Sequence, residues 1–270
     1  DKDILKEFIK DLLDLIAKSL SDREKKFTGV PLQTMMLAEV FEDNARECGE
    51  TRKENLPPVI DLLELYNKFV EKKLHIFWTE KIKFDLSNPT TQYICENIKE
   101  NFMEDHKNCA LISLIPVSVL PSLKGFKEPI KFLTGVKNGK EKSGIIEGIR
   151  HGKPQFIHQT LSEYFSAIWF SENFKPNESF LTKYIFSSRY DVLKNIFDRV
   201  LAKDKELHKA VLDNNRNAVQ QLLQTGNDVN DLDGGGRTAL HLAVSLGKCS
   251  QINKKSFNYK MFKQHVLDHE

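Results

Sequence analysis

Residues 236–244 read Gly236-Arg237-Thr238-Ala239-Leu240-His241-Leu242-Ala243-Val244, and 33 residues upstream Leu207-His208-Lys209-Ala210-Val211 gives the same Leu-His-x-Ala-Val. Similarity at a fixed period of this size marks one supersecondary unit stacked on the next. Between the two copies, Ala218-Val219-Gln220-Gln221-Leu222-Leu223 carries apolar residues at helical spacing. Gly226 stands where a helix needs a left-handed stop, and Asn227-Asp228-Val229-Asn230 has loop composition. The unit therefore reads helix, turn, helix, loop. One complete unit and the opening of a second are visible, whereas about three normally make a stable stack. The first unit is thus expected to lean on the helices before it. No second outer helix is read after Gly247: either the array is truncated there, or residues 249–270 are an unrelated polar tail.

Upstream, residues 178–203 predict two helices, with Val192, Leu193, Ile196, Phe197 and Leu201 on one side. Residues 160–170 have helical spacing through Leu161, Tyr164, Phe165, Ile168 and Trp169. Before them, Gly144-Ile145-Ile146-Glu147-Gly148-Ile149 is β-branched and glycine-punctuated, Arg150-His151-Gly152-Lys153 has turn composition, and Pro154-Gln155-Phe156-Ile157 is a second short strand. Together they predict a β-hairpin wing inside a helical region. Two helices are predicted over 90–103 and 107–115, and Pro116 and Pro121 bracket the next connection. Earlier still, Val59, Leu62, Leu63, Tyr66, Phe69 and Val70 share one helix face. Pro31 suits the first turn of a helix through Met35, Met36, Leu37, Val40 and Phe41, and residues 3–20 carry a wide apolar stripe.

The chain has 270 residues, 40% apolar and 29% charged, enough for a real core in one large or two small domains. Lys+Arg number 40 and Asp+Glu 38, a net charge of +2. That balance argues against a dedicated nucleic-acid or membrane-surface protein. No run of about 18 apolar residues predicts a membrane span. The opening Asp-Lys-Asp, with no initiator Met, reads as a chain whose upstream region is missing. Cys48, Cys95, Cys109 and Cys249 are scattered, with no Cys-x-x-Cys, which suits a reducing cytosol or nucleus, and a cytoplasmic location is expected. His265 and His269 lie four apart and read as an exposed tail rather than a metal pair. Trp78 and Trp169 sit in apolar periodic contexts and read as core. Asp231-Leu232-Asp233-Gly234-Gly235-Gly236 resembles a calcium loop only loosely, because the acidic twelfth position is missing. No Gly-x-Ser-x-Gly occurs. No catalytic or metal-ligating residue is predicted.

Residues 236–243 resemble the ankyrin signature Thr-Pro-Leu-His-x-Ala, with Ala239 in place of Pro, and 33 residues is the ankyrin period. In such a turn the Thr238 hydroxyl and the His241 imidazole bond locally, so His208 and His241 read as turn chemistry. Three segments in order also resemble the C-terminal half of a NACHT-type STAND ATPase followed by ankyrin repeats, as in NOD-like receptors and invertebrate NACHT–ankyrin proteins. Phe27-Thr28-Gly29-Val30-Pro31-Leu32 looks like the G-x-P-L opening of the first helical domain. Phe156-Ile157-His158-Gln159-Thr160-Leu161-Ser162-Glu163-Tyr164 is similar to the F-x-H segment of that family's winged helix, with Leu161 where Phe is common. The ankyrin unit from Leu207 is the third.

The resemblance implies a nucleotide role. In that family the Pro of G-x-P packs on adenine, and the His of F-x-H reaches the β-phosphate of ADP and holds the inactive state. Those positions are Pro31 and His158. His158 also follows a strand and precedes a helix, an environment of free backbone N–H groups that suits an anion. No G-x-x-x-x-G-K-[ST] loop is present: in Gly135 to Gly144, Lys140 is followed by Glu141. The phosphate cradle would lie upstream, and the chain alone is expected to bind no cofactor and to hydrolyse nothing.

The expected fold is mainly α: a helical region at 1–103, a winged-helix-like domain at 104–172, a second helical segment at 173–203, a short ankyrin array at 204–248 and a tail at 249–270. The expected function is the non-catalytic regulatory portion of a NACHT–ankyrin signalling protein of the innate-immunity kind. It would clamp an upstream nucleotide-binding domain that holds ADP or ATP, and present ankyrin repeats to a protein partner. A plain ankyrin adaptor with no nucleotide role is the alternative.

Overall fold

The computed structural model describes residues 6–7, 10–12, 14, 31–42, 44–45, 62–85, 87–141, 143–185 and 190–246, the backbone alone at 31–34, 62, 81 and 191. The expected helix over 3–20 is described at 6–7, 10–12 and 14, all of them helical. Residues 27–30, Cys48, Cys249 and the 249–270 tail with His265 and His269 lie outside the described residues. The fold is mostly helical, with one two-stranded antiparallel sheet among the described residues. The chain divides into two compact units, 1–197 and 198–270.

In the first unit, α1 (Pro31–Val40) packs on α2 (Leu62–Ile76), and Lys73 ties them by a 2.6 Å ion pair to Glu39. A π-helical turn, Phe77–Ile82, continues α2 and stops at Lys83, whose φ of 59° is left-handed. Next comes α3 (Pro89–Leu114), 26 residues long. Asn88 caps it by accepting from the Thr90 N–H, and Pro89 takes the first turn, where no donor is missed. Two helices were the expectation here. One forms because no Gly or Pro interrupts residues 90–114, and the polar run Glu104-Asp105 turns to one side while His106 and Cys109 turn inward.

Helix α4 (Ile130–Lys137) leads to β1 (Ile146–Arg150) and β2 (Lys153–Phe156). The predicted hairpin is present, with Ile146 opposite Phe156, Arg150 opposite Lys153 and a bulge between Ile146 and Gly148. His151 and Gly152 turn it at φ of 52° and 74°, the paired positive angles that a two-residue hairpin turn needs. Helix α5 (Gln159–Glu172) then lies against α3. Nearly all of 160–170 is buried, so α5 is a central helix rather than an amphipathic surface one. Tyr164 stacks on Tyr66 at 5.3 Å and donates to Asn67 Oδ1 at 2.6 Å. Short turns over 175–185 follow. There the Asn177 side chain accepts from the Lys124 N–H at 2.9 Å and donates to the Lys124 and Asn173 carbonyls. Asn177 is itself buried and staples two distant loops. Helix α6 (Asp191–Leu201) contains the division between the units.

The second unit holds the end of α6, α7 (Glu206–Leu212), α8 (Arg216–Gln224) and α9 (Ala239–Ser245). Leu207, Ala210, Val211, Val219, Leu242 and Ala243 form its core, with Leu222 and Leu223 against it. Of the stretch expected as an array, residues 204–246 are described, and they belong to this unit. Among the described residues no helix is long and apolar enough to cross a membrane.

At the seam of α3, α4 and α5, His106 is fully buried. It stacks on Phe102 at 3.9 Å and meets Phe132 and Phe165 at 5.1 and 5.4 Å. Its Nδ1–H donates to the Phe102 carbonyl at 2.7 Å, and Nε2 has no partner among the described residues. Burial lowers this imidazole to about 4, against the pull of the Phe102 carbonyl. Beside it, burial, Glu141 and Glu104 raise the Asp105 carboxyl to about 6. The two groups act oppositely. A depressed His favours the unfolded state as pH falls from its ordinary value of 6.5 toward 4. A raised Asp favours the folded state over the same descent, from about 6 toward its ordinary 3.8. Asp105→Asn therefore gains stability at neutral pH, about 1 kcal/mol after solvent screening. That gain fades on acidification, leaving the His106 loss uncovered. Thermal melts of both proteins at several pH values between these limits check it.

Candidate functional site

The loop before α9 is built around one carboxylate. Asp233 Oδ1 accepts the backbone N–H of Gly235 and of Arg237, at 2.8 and 2.9 Å. Oδ2 accepts from Arg237 Nε and Nη2, at 3.0 and 2.8 Å. The Asp233 side chain is wholly buried. Arg237 also donates through Nη1 to Asp198 Oδ1 at 2.6 Å. Burial alone would lower the guanidinium, but Asp198 and Asp233 together raise it above its ordinary value. The loosely calcium-like stretch at 231–236 thus has an internal cation: Arg237 occupies the carboxylate.

This loop ends in the expected turn chemistry. Thr238 is the N-cap of α9, and its Oγ1 accepts the His241 N–H at 3.3 Å. His241 Nδ1 accepts the Thr238 N–H at 3.1 Å and lies 2.8 Å from the Thr238 hydroxyl. Imidazole takes the place of the usual Glu or Gln in a reciprocal capping box. His208, at the same repeat position, does something else. It is buried, and its Nε2–H donates to the Arg237 carbonyl at 2.8 Å. Three residues before it stands Lys205, which makes no side-chain cap. Gly226 takes the predicted left-handed stop at φ 86°, and the Asn227 N–H closes on the Leu222 carbonyl. Leu232, bridged through its backbone to Thr238, is half exposed, as is Val244 on α9.

His158 sits where it was expected. It is the N-cap of α5, with extended backbone, and its Nδ1 accepts the Thr160 N–H at 3.2 Å. The Thr160 hydroxyl lies 3.0 Å from the same nitrogen. Nδ1 is therefore the unprotonated ring atom and Nε2 carries the hydrogen. Burial lowers His158 below its ordinary value, which favours that neutral form. Pro31 is the first residue of α1, as expected, and its ring lies outside the described residues. The structure does not bring the two together in any described contact. Cys95 and Cys109 are buried free thiols, and burial pushes both upward. Trp169 is buried as expected, whereas Trp78 is only partly so.

The Asp198–Arg237–Asp233 network escaped the sequence reading. Its one local trace is an Asp and an Arg four residues apart across three glycines, and Asp198 lies too far away in sequence to be associated with them. A family model described as ankyrin repeats (many copies) matches residues 207–252. No curated protein and no solved structure matches the chain. The C-terminal segment thus carries an ankyrin repeat, a unit that generally mediates protein–protein binding.

Asp233→Asn leaves Arg237 underbalanced and weakens up to four hydrogen bonds, so it is expected to cost about 2–4 kcal/mol. Thr238→Ala removes one cap and is expected to cost about 1 kcal/mol. Urea titrations of the two variants give the order.

Proposed function

We propose that this chain is a non-enzymatic interaction module whose ankyrin unit binds a protein partner. The observation that carries this reading is the match at 207–252 together with a loop held rigid from within and turned outward at Leu232. A loop braced by a buried ion pair presents its tip with little ordering cost on binding. Leu232→Asp is expected to abolish capture of a partner by the immobilised chain while changing stability by no more than about 0.5 kcal/mol. Capture unaffected by that change, and by deletion of 204–248, would leave the reading without support.

A finer regulatory reading is favoured by His158. In it, the helical region 1–103, the winged-helix-like 104–172 and the segment 173–203 clamp an upstream nucleotide-binding domain in a cytoplasmic NACHT–ankyrin signalling protein. ADP or ATP is held by that domain, and Pro31 and His158 add contacts to adenine and phosphate. The capping bond at Nδ1 supports a specific role for His158: a neutral Nε2–H donor to a phosphate oxygen at the start of α5. Because Asn caps helices as well as His does here, His158→Asn keeps the helix start and removes the distal donor. Calorimetry on the chain alone, and extended by its own upstream sequence, is expected to show ADP binding only in the longer form. His158→Asn should weaken that binding about tenfold, the scale of one charge-assisted hydrogen bond. No binding in either form overturns this reading and leaves the adaptor.

A further inference from the structure

A cavity of about 510 Å³ opens between the end of α1, the polar stripe of α2 and the exposed half of α3. Pockets for small molecules run from about 300 to 1,000 Å³. Its lining combines two chemistries. Phe41 and Leu74, both buried, give it an apolar floor, and Trp78 extends that floor. Lys68 and Lys72, one turn apart on α2, and Lys99 from α3 give it a cationic rim. Glu71 and Glu96 also line it, so three lysines and two carboxylates are among its described lining residues. Two ion pairs of the rim are long. Lys68 lies 3.7 Å from Glu64 and Lys99 lies 3.9 Å from Glu71, each between exposed side chains. Such pairs contribute about 0–1 kcal/mol, so an anion that meets Lys68 or Lys99 displaces little from either.

The wall that carries Trp78 is itself unusual. It is the π-helical turn Phe77–Ile82, ending at Lys83 with φ 59°. Turns of this kind are rare and recur at functional sites, and a left-handed lysine costs about 1 kcal/mol or more. The turn swings Trp78 to the cavity, and its indole N–H is buried with no acceptor among the described residues. We propose that this cavity is a binding site for a small organic anion with an apolar body, of the aromatic carboxylate or sulfonate class. The ring lies on Phe41, Leu74 and Trp78, and the anionic group meets Lys68, Lys72 and Lys99.

Anilinonaphthalene sulfonate, titrated into the whole chain, is the probe. Binding at one site is expected, with the Trp78 indole N–H resonance shifting and that of Trp169 unmoved. The uncharged N-phenylnaphthylamine is expected to bind about tenfold more weakly, and Lys68→Gln and Lys99→Gln each about threefold more weakly than the parent. Inorganic phosphate, which lacks the apolar body, is expected not to compete. Binding that leaves the Trp78 resonance in place, that the lysine substitutions do not weaken, or that phosphate displaces equally well overturns the proposal. Should the lysine variants fail to fold, the indole resonance of the parent chain decides it alone.

Discussion

The second unit depends on the buried pairing of Asp233 with Arg237. A carboxylate stripped of water is tolerable only when its acceptor sites are filled, and here two backbone amides and a forked guanidinium fill them. The same arrangement fixes where the Arg237 carbonyl points, and that carbonyl is what the buried His208 needs. It also sets the approach of Thr238 to α9. The described core of this unit is built from small and medium apolar side chains, Leu207, Ala210, Val211, Val219, Leu242 and Ala243, and the loop adds polar constraints to that packing.

Much of this architecture was legible in the sequence. Leu-His-x-Ala-Val recurring after 33 residues, and Gly226 between the copies, located helices and loop. The hairpin was readable because Arg150-His151-Gly152-Lys153 has the composition its backbone angles demand. The differences have identifiable causes. His208 and His241 occupy one repeat position, yet Thr238 engages the second and Lys205 leaves the first to seek a carbonyl elsewhere. Local spacing cannot express that exchange, because the partner is 29 residues away. The π turn at 77–82 is equally invisible to periodicity: it shifts the phase of one turn without changing which residues are apolar.

His158 illustrates the middle ground. Its place at a helix start followed from the strand before it and the helical spacing after it. The ring nitrogen that caps the helix did not, although that atom decides whether the imidazole meets a ligand as a neutral donor or as a cation. In α5 a further limit shows. Ser162, Glu163 and Ser166 are polar by composition but buried by position, because the helix is covered on several sides. A hydropathy pattern reports one face, and a helix enclosed by others has none.

The staple at Asn177 bears on a question of chemistry outside the fold. Asn177-Glu178-Ser179 spells the acceptor pattern for attachment of an N-linked sugar. In the folded chain that amide is buried, and both its oxygen and its nitrogen are committed to backbone groups of Lys124 and Asn173. A glycan there would have to displace three hydrogen bonds and prise the stapled loops apart. The tripeptide is thus an acceptor in spelling only, silenced once the chain has folded around it.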